Sequence, residues 1–324
     1  MADRALRVGQ YAAAPGERVE ALVSVDLGLA QVEVPVVLIN GPRPGPRVGV
    51  TAGIHGAEYA PIRALQKVVA DIDPSTMTGS LVAVIVANPA GFFGRSVYTN
   101  PIDGKNINRL FPGDSSGGPS ERLAAWIFQQ VIAPSDRYID LHCGDMNEVL
   151  LPFVGYDVPL QPSNKDVVMG MAAAYGLDYI LEFDGSGGVS HMAISAAGQA
   201  GIPSLIAEVG GIGQWPDDDV QRHSEGLKRA LGAAGLLPPL PPPTTVPTRM
   251  GRSIWMRSPA TGCFLPAVKL GQRVESGQVL GEVQDFFGRT VARVEAPFAG
   301  VFFFLVTSMS TKSGDPLLGI ATEK

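Results

Sequence analysis

An apolar run that ends in a glycine-flanked turn constrains the fold of this chain more than any other feature. Residues 48–52 form the run, and Gly53-Ile54-His55-Gly56-Ala57-Glu58 follows it directly. A helical pattern begins near residue 61, so the sequence predicts a buried strand, a turn and a helix. The ends of such strands form the ligand-binding edge of an α/β sheet. His55 and Glu58 therefore lie where an imidazole and a carboxylate can hold one cation.

A second predicted strand also ends in a histidine. Tyr138, Ile139 and Leu141 have the character of a buried strand, and His142 stands where that strand gives way to a glycine-containing turn. A His-x-x-Glu pair alone also occurs by chance on protein surfaces. However, the chain has only four histidines, and two of them stand at predicted strand ends. A catalytic zinc site usually has three protein ligands, so we predict one metal site made by His55, Glu58 and His142.

Strand and helix patterns alternate over most of the chain. Residues 19–40 are expected to form an edge hairpin that is broken at residues 41–46. Further strands are predicted at residues 81–87, 149–154, 179–183 and 204–209, and helices at residues 61–72, 121–132, 167–175 and 220–234. This alternation favours an α/β fold with helices on both faces of the sheet. The irregular residues 88–118 are expected to form a wall of the functional site.

A proline-rich segment predicts the division of the chain into domains. Residues 238–247 contain six prolines, which favour an extended, semi-rigid linker. We therefore expect a large domain at residues 1–237, with N-terminal edge strands in residues 1–46, then a linker at residues 238–249 and a small all-β module at residues 250–324.

Two glycine-rich segments of this module, residues 266–283 and 296–301, resemble biotinyl and lipoyl carrier domains. The expected hairpin tip, residues 285–289, has no lysine to carry a cofactor, so we expect a structural module that covers a sheet edge, narrows the site or joins subunits. Residues 301–306 are apolar throughout, and we expect their second face to be buried against the large domain or another subunit.

Composition limits the classes of partner and compartment. The chain has 25 Lys+Arg against 31 Asp+Glu, a net charge of -6, and no dense basic run, so binding to nucleic acid is not expected. Cys143 and Cys263 lie far apart, which favours free thiols in a reducing compartment. With no signal-peptide pattern or membrane-spanning run, we expect a cytoplasmic protein that does not bind membranes, and a homo-oligomer remains open.

The ordered motifs resemble the zinc carboxypeptidase superfamily. They are His55-x-x-Glu58, Asn108-Arg109, His142 and Glu208. Residues 53–58, 101–113 and 140–142 are most similar to its succinylglutamate desuccinylase and aspartoacylase branch. The resemblance covers roughly the first three quarters of the chain. It implies an α/β/α domain with a mixed central sheet, one zinc ion per chain, and hydrolysis of the amide bond of a small N-acyl amino acid.

The resemblance also implies roles for individual residues. Glu208 matches the glutamate that acts as general base and acid, and Arg95 lies roughly where the family has an arginine that stabilises the oxyanion. Asn108 and Arg109 match the pair that binds a substrate carboxylate, and Lys105 is a candidate for the same wall.

The charge of the substrate side chain is left open. Asp145, Glu182 and Asp184 favour a cationic group, whereas Arg109 and Lys105 favour an anionic one.

Four further side chains have less specific interpretations. Asp140 is expected to support His142 only where the backbone bends, and Cys143 is expected to pack behind the site. His191 and His223 lie in polar, helix-like surroundings, which are typical of solvated or capping histidines.

Other functions remain as alternatives. A carboxypeptidase or a peptidoglycan-peptide amidase would use similar residues, although a cell-wall enzyme would more naturally carry a signal peptide. A non-catalytic scaffold or binding protein could keep the same fold. The three predicted ligands and Glu208 are all present, which favours the enzyme.

Overall fold

The computed structural model describes residues 4–158, 163–183 and 191–324. In these residues the α-helices are α1 (Tyr59–Asp71), α2 (Pro89–Gly94), α3 (Pro119–Ile127), α4 (Lys165–Tyr175), α5 (Ala193–Gln199) and α6 (Asp217–Ala233). The strands that precede the proline-rich segment are β1 (Leu6–Val8), β2 (Tyr11–Ala13), β3 (Arg18–Asp26), β4 (Gln31–Asn40), β5 (Arg43–Ala52), β6 (Thr78–Val84), β7 (Arg137–His142), β8 (Glu148–Leu150), β9 (Phe153–Asp157), β10 (Tyr179–Phe183) and β11 (Ser204–Glu208). Those that follow it are β12 (Thr248–Arg257), β13 (Gly262–Pro266), β14 (Arg273–Val274), β15 (Val279–Gln284), β16 (Thr290–Glu295), β17 (Gly300–Val306), β18 (Ser310–Thr311) and β19 (Pro316–Glu323).

A large mixed sheet forms the frame of the molecule. Its strand order is β14-β17-β19-β12-β10-β9-β11-β7-β5-β6-β4-β3, and β8 pairs with β17. Strands β11, β7, β5 and β6 are parallel to their neighbours in this run, whereas β9 is antiparallel to β11. Helices α1, α4 and α6 pack on one face, and α3 and α5 on the other. The predicted α/β fold with a mixed central sheet is confirmed.

Two elements differ from the expected boundaries. The break expected at residues 41–46 already belongs to β5, because Arg43 pairs with Thr78 before a register shift. The single strand expected at residues 149–154 is two strands, β8 and β9, with different partners. Pro152 lies between them, and a residue without an N–H cannot continue a ladder.

The chain after the proline-rich segment is all-β, as expected. Strands β16, β15, β13 and β18 form a four-stranded sheet. This sheet and the strands β14, β17 and β19 share an apolar core that includes Phe264, Leu280, Phe302 and Leu318. Because β12 pairs with both β10 and β19, the central sheet continues from the large domain into this segment.

Strand β17 is buried on both faces, as its apolar composition predicts. Phe302 faces the core of the small module, whereas Phe303 and Phe304 pack with Phe153 and Leu181 of the large domain. Within the described ranges, no helix combines the length and the apolar character needed to cross a bilayer.

We expect Phe303→Ala to lower the free energy of unfolding by about 3 to 5 kcal/mol. The Phe303 ring is 1% exposed, and its centroid lies 6.0 Å from that of Phe153 and 5.0 Å from that of Trp255. Urea unfolding measures the change, with Phe287→Ala as the control, because Phe287 is 84% exposed. If Phe303→Ala lowers the free energy of unfolding no more than Phe287→Ala does, then burial of the Phe303 ring adds no stability.

Candidate metal centre and active site

Three neighbouring strands end together and bring the predicted ligands to one edge of the sheet. In the parallel pairs, Ala52 of β5 lies beside Leu141 of β7, and His142 lies beside Glu208 of β11. The loop after β5 needs glycine, because a Cβ at Gly56 would lie 2.0 Å from the backbone nitrogen of Phe92 in α2. The backbone of α2 therefore closes over this loop.

His55, Glu58 and His142 form a buried cluster that could hold a metal ion. The Nδ1 atom of His55 lies 2.7 Å from Oε1 of Glu58, and Nδ1 of His142 lies 2.9 Å from Oε2 of the same carboxylate. The ligand atoms of the three residues all lie within 4.8 Å of one another. The predicted grouping is confirmed.

The outer nitrogen of each imidazole faces an acceptor oxygen. Nε2 of His55 lies 3.1 Å from Oδ1 of Asn106, and Nε2 of His142 lies 3.1 Å from Oδ2 of Asp140. An amide or carboxylate oxygen only accepts, so both Nε2 atoms carry a proton and Nδ1 is the ring nitrogen that faces Glu58. Two imidazole nitrogens and a carboxylate that converge in this way need a proton or a cation between them, and the set fits a metal ion.

Two side chains hold these imidazoles in place. Asp140 supports His142 without any bend in β7, because residues two apart on a strand share a face; our expectation that a bend was needed is wrong. The Oδ1 atom of Asp140 accepts a hydrogen bond from Oγ1 of Thr51 at 2.6 Å. Asn106 is oriented by the amide of Asn108, which donates to its Oδ1 at 2.9 Å.

The cluster attracts positive charge. Burial alone would raise the pKa of Glu58, but His142 and His55 outweigh it and lower the pKa to about 2. Burial would lower the pKa of His142, but Asp140 and Glu58 raise it well above its ordinary value. A proton or a metal ion therefore satisfies the same group of atoms.

Glu208 lies at the end of β11 beside the cluster. Its Oε2 atom is buried and has no hydrogen-bond partner among the described residues. Burial raises the pKa of Glu208 well above its usual range; His142 opposes this rise, whereas Glu58 and Glu148 add to it. The raised pKa favours the protonated form of this carboxyl group more than in an ordinary glutamate.

Asn108 and Arg109 follow one another in the loop that faces the cluster. Asn108 is 2% exposed; its Oδ1 accepts from the amide of Ala193 at 2.9 Å, and its Nδ2 lies 3.5 Å from Nε2 of His142. Nη1 of Arg109 donates to the carbonyl oxygen of Asn108 at 2.7 Å.

Arg109 has charged neighbours, and two of them, Glu148 and Glu208, lie at the site. Desolvation lowers the pKa of Arg109, and the neighbouring Arg257 of the small module lowers it further, whereas Glu148 and Glu208 act to raise it. Although its guanidinium is desolvated, Arg109 as a whole remains exposed to solvent.

A buried acidic pair organises the adjacent wall. Oδ2 of Asp145 accepts from the amide of Tyr98 at 2.8 Å, and Oδ1 accepts from the amide of Met146 at 2.6 Å. Glu148 accepts from the Tyr98 hydroxyl at 2.7 Å and from the Asp145 amide at 2.9 Å. Burial is the main reason that the pKa of Glu148 is raised to about 7. Both oxygens of Asp145 are therefore already bonded to the backbone, and Tyr98 and Glu148 are wall residues that sequence analysis missed.

Two predicted site residues have no hydrogen bond or ion pair with the cluster in the described residues. Arg95 follows α2 in the left-handed region, with φ 50°, and its side chain is exposed. No hydrogen bond or ion pair in the described residues joins its guanidinium to the ligands. Lys105 pairs with Glu121 of α3, with 2.9 Å between Nζ and Oε1.

The other acidic residues considered at the site are placed differently. Glu182 pairs with Arg249 of β12 and with Lys324, so its carboxylate joins the large domain to the small module. Asp184 lies outside the described residues. Cys143 is buried, and burial raises the pKa of its thiol well above the ordinary value.

His223 is fully buried, and the expectation that it is solvated or capping is wrong. Its Nε2 lies 3.0 Å from the carbonyl oxygen of His142, and its Nδ1 lies 2.8 Å from the Tyr175 hydroxyl. Burial lowers the pKa of His223 to about 4. Its spacing from Val220 and Leu227, which are three and four residues away on α6, is the sequence signal for a buried position.

A family model matches the part of the chain that contains the site. Residues 44–234 match the model of the succinylglutamate desuccinylase/aspartoacylase catalytic domain. The N-alpha-acetyl-L-2,4-diaminobutyric acid deacetylase of Halomonas elongata is 30% identical over 300 residues, which cover 90% of this chain and 86% of that protein. The succinylglutamate desuccinylase of Serratia proteamaculans is 31% identical over 216 residues, or 62% of each chain.

Solved structures share the fold over nearly the whole chain. The product-bound ectoine utilization protein EutE (DoeB) from Ruegeria pomeroyi superposes with a TM-score of 0.86 at 23% identity, covering 99% of this chain and 100% of that one. The succinylglutamate desuccinylase/aspartoacylase from Rhodobacter sphaeroides gives 0.82 at 23% identity, with 95% of each chain covered. The extent of the family match and the identity to the Halomonas relative show that this chain belongs to the succinylglutamate desuccinylase/aspartoacylase family.

Proposed function

We propose that this chain is a zinc-dependent deacylase that hydrolyses the amide bond of a small N-acyl amino acid. The observation that carries the proposal is the convergence of His55 Nδ1, His142 Nδ1 and the Glu58 carboxylate beside the unpartnered carboxyl oxygen of Glu208. The names of the two relatives support deacylation as the reaction.

His55, Glu58 and His142 would hold the metal, and a set of two imidazoles and one carboxylate fits zinc. When bound, zinc makes water more acidic and polarises a carbonyl group. Asn106 and Asp140 accept from Nε2 and fix the rings so that Nδ1 is the nitrogen that faces the metal.

Glu208 would transfer the proton that amide hydrolysis requires. It takes a proton from the attacking water and delivers it to the nitrogen of the leaving amine as the C–N bond breaks. The products are the carboxylate of the acyl group and the free amino acid. A carboxyl group with a raised pKa suits both steps, because it is a stronger base than an ordinary carboxylate and a proton donor once it is protonated.

Asn108 and Arg109 would bind the carboxylate of the amino acid, since the planar guanidinium matches a carboxylate with two hydrogen bonds. Arg95 as the oxyanion partner and Lys105 as a wall residue remain proposals. Asp145 would shape the wall of the substrate site through its hydrogen bonds with the backbone amides of Tyr98 and Met146.

The division at the proline-rich linker is likewise a proposal. The family match ends at residue 234, just before residues 238–249, which supports a catalytic domain that is followed by a separate structural module.

Substrates taken from the relatives test the function. We expect the zinc-loaded protein to release the amine from N-alpha-acetyl-L-2,4-diaminobutyrate or from N-succinyl-L-glutamate, and a strong chelator to abolish the release until zinc is restored. Failure to release an amine from either compound, or turnover that persists after complete removal of metal, would contradict the proposal.

We expect Arg109→Ala to lower kcat/KM by about tenfold to a hundredfold, because a charge-assisted hydrogen bond contributes about 1.5 to 3 kcal/mol. The control is the same substrate with its carboxylate replaced by a carboxamide. If Arg109 binds the carboxylate, the variant and the wild type should differ little on the carboxamide. An equal loss on both compounds would assign Arg109 another role.

A further inference from the structure

One peptide group connects His223 to a proposed metal ligand. The carbonyl oxygen of His142 accepts from Nε2 of His223 at 3.0 Å and from the amide of Val209 at 3.2 Å. The amide of Cys143, on the other side of the same peptide group, donates to Oε2 of Glu58 at 3.0 Å. Because a peptide group is planar and rigid, a donor that fixes its oxygen also fixes the direction of its N–H.

The protonation of His223 follows from its partners. A carbonyl oxygen only accepts, so Nε2 of His223 carries the proton. In the neutral ring Nδ1 is then an acceptor, and the Tyr175 hydroxyl, 2.8 Å away, donates to it. Both residues are at most 1% exposed, so water does not compete for either hydrogen bond.

The helix packing is adapted to this arrangement. Gly226 lies in the interior of α6, where glycine costs about 1 kcal/mol relative to alanine. A Cβ at this position would lie 2.2 Å from Cε1 of Tyr175, so only glycine lets that ring lie against the helix. This close contact brings the Tyr175 hydroxyl from α4 to His223 on α6.

We infer that His223 is a positioning residue for the metal centre: it holds the peptide between His142 and Cys143 so that the N–H of that peptide fixes the Glu58 carboxylate. The inference rests on the proposed metal site but not on the identity of the substrate. The chain of contacts runs from Tyr175 through His223 and one peptide group to Glu58.

Two substitutions separate the two nitrogens of this ring. In His223→Gln the side-chain amide nitrogen takes the place of Nε2 and can still donate to the His142 carbonyl, whereas in His223→Asn it takes the place of Nδ1 and cannot. We expect His223→Asn to weaken zinc binding by about tenfold to a hundredfold. His223→Gln should restore most of the loss. Competition with a chromophoric chelator gives the dissociation constant, and the visible spectrum of the cobalt-substituted protein reports the ligand geometry.

Ser224→Ala is the matched control, because Oγ of Ser224 donates to the Val220 carbonyl on the same helix at 2.7 Å and does not contact the peptide at His142. It should leave zinc affinity and the cobalt spectrum unchanged. If neither variant at position 223 folds, Tyr175→Phe removes a single oxygen and should weaken zinc binding between about twofold and tenfold.

The outcomes separate this inference from the proposed function. Wild-type affinity and spectrum in His223→Asn, or equal losses in the Asn and Gln variants, would overturn the positioning role and leave the deacylase proposal intact. Unchanged affinity in Tyr175→Phe would overturn it where position 223 cannot be changed. A wild-type protein that binds no zinc would overturn both.

Discussion

Glu208→Gln is expected to reduce kcat by about 10² to 10⁴-fold while the protein keeps its fold and its zinc. Glutamine has nearly the same shape as glutamate, but it cannot take a proton from water or deliver one to the leaving nitrogen. Three measurements on one sample check this result. Elemental analysis gives the zinc content, circular dichroism reports the fold, and steady-state kinetics give kcat on the N-acyl amino acid that the wild type hydrolyses.

Glu225→Gln is the control for this change, because Glu225 is exposed on α6 and pairs with Arg229. Its kcat should equal that of the wild type. Near-normal turnover by the Glu208 variant would place the general base elsewhere, and loss of zinc from that variant would mean that Glu208 acts as a ligand.

His55→Ala is expected to reduce the zinc content from about one ion per chain to near zero and to abolish turnover. The substitution removes one of the three converging donors and also one of the two imidazoles that hold the pKa of Glu58 at about 2. Elemental analysis of dialysed protein measures the loss.

His191→Ala provides the matched control, since His191 is exposed and its Nδ1 lies 3.2 Å from the carbonyl oxygen of Phe111. It should keep its zinc. Full zinc content in the His55 variant would refute the ligand set.

The elements and the grouping of His55, Glu58 and His142 could be predicted because their signals are local. His55 and His142 each follow an apolar run, and the ends of parallel strands meet at one edge of a sheet. The boundary at residues 149–154 was missed because the apolar run was read through Pro152, although a proline indicates a break in a ladder. The pairing of β8 with β17 and of β9 with β10 shows that the two strands are separate.

The supporting residues of the site could not be predicted in the same way, because their partners are distant in sequence. Tyr98 and Glu148 are 50 positions apart, and His223 reaches the carbonyl of His142 across 81 positions. A single sequence does not reveal which segments meet at such separations. The support of His142 by Asp140 was available locally, since residues two apart share a strand face, and our error there was one of geometry.

The pairing of β8 with β17 has a consequence for how the protein is made. Val149 of β8 pairs with Leu305 of β17, so the ribosome must add 156 residues after Val149 before its partner exists. At 5 to 20 residues per second this takes about 8 to 30 s. During that interval the ribosome-bound chain contains the three proposed metal ligands, and Phe153 and Leu181, once they are synthesised, lack the cover that β17 provides. Chaperones that bind exposed apolar segments would act on the nascent chain in this window, and the large sheet would be complete only after β17 and β19 are synthesised.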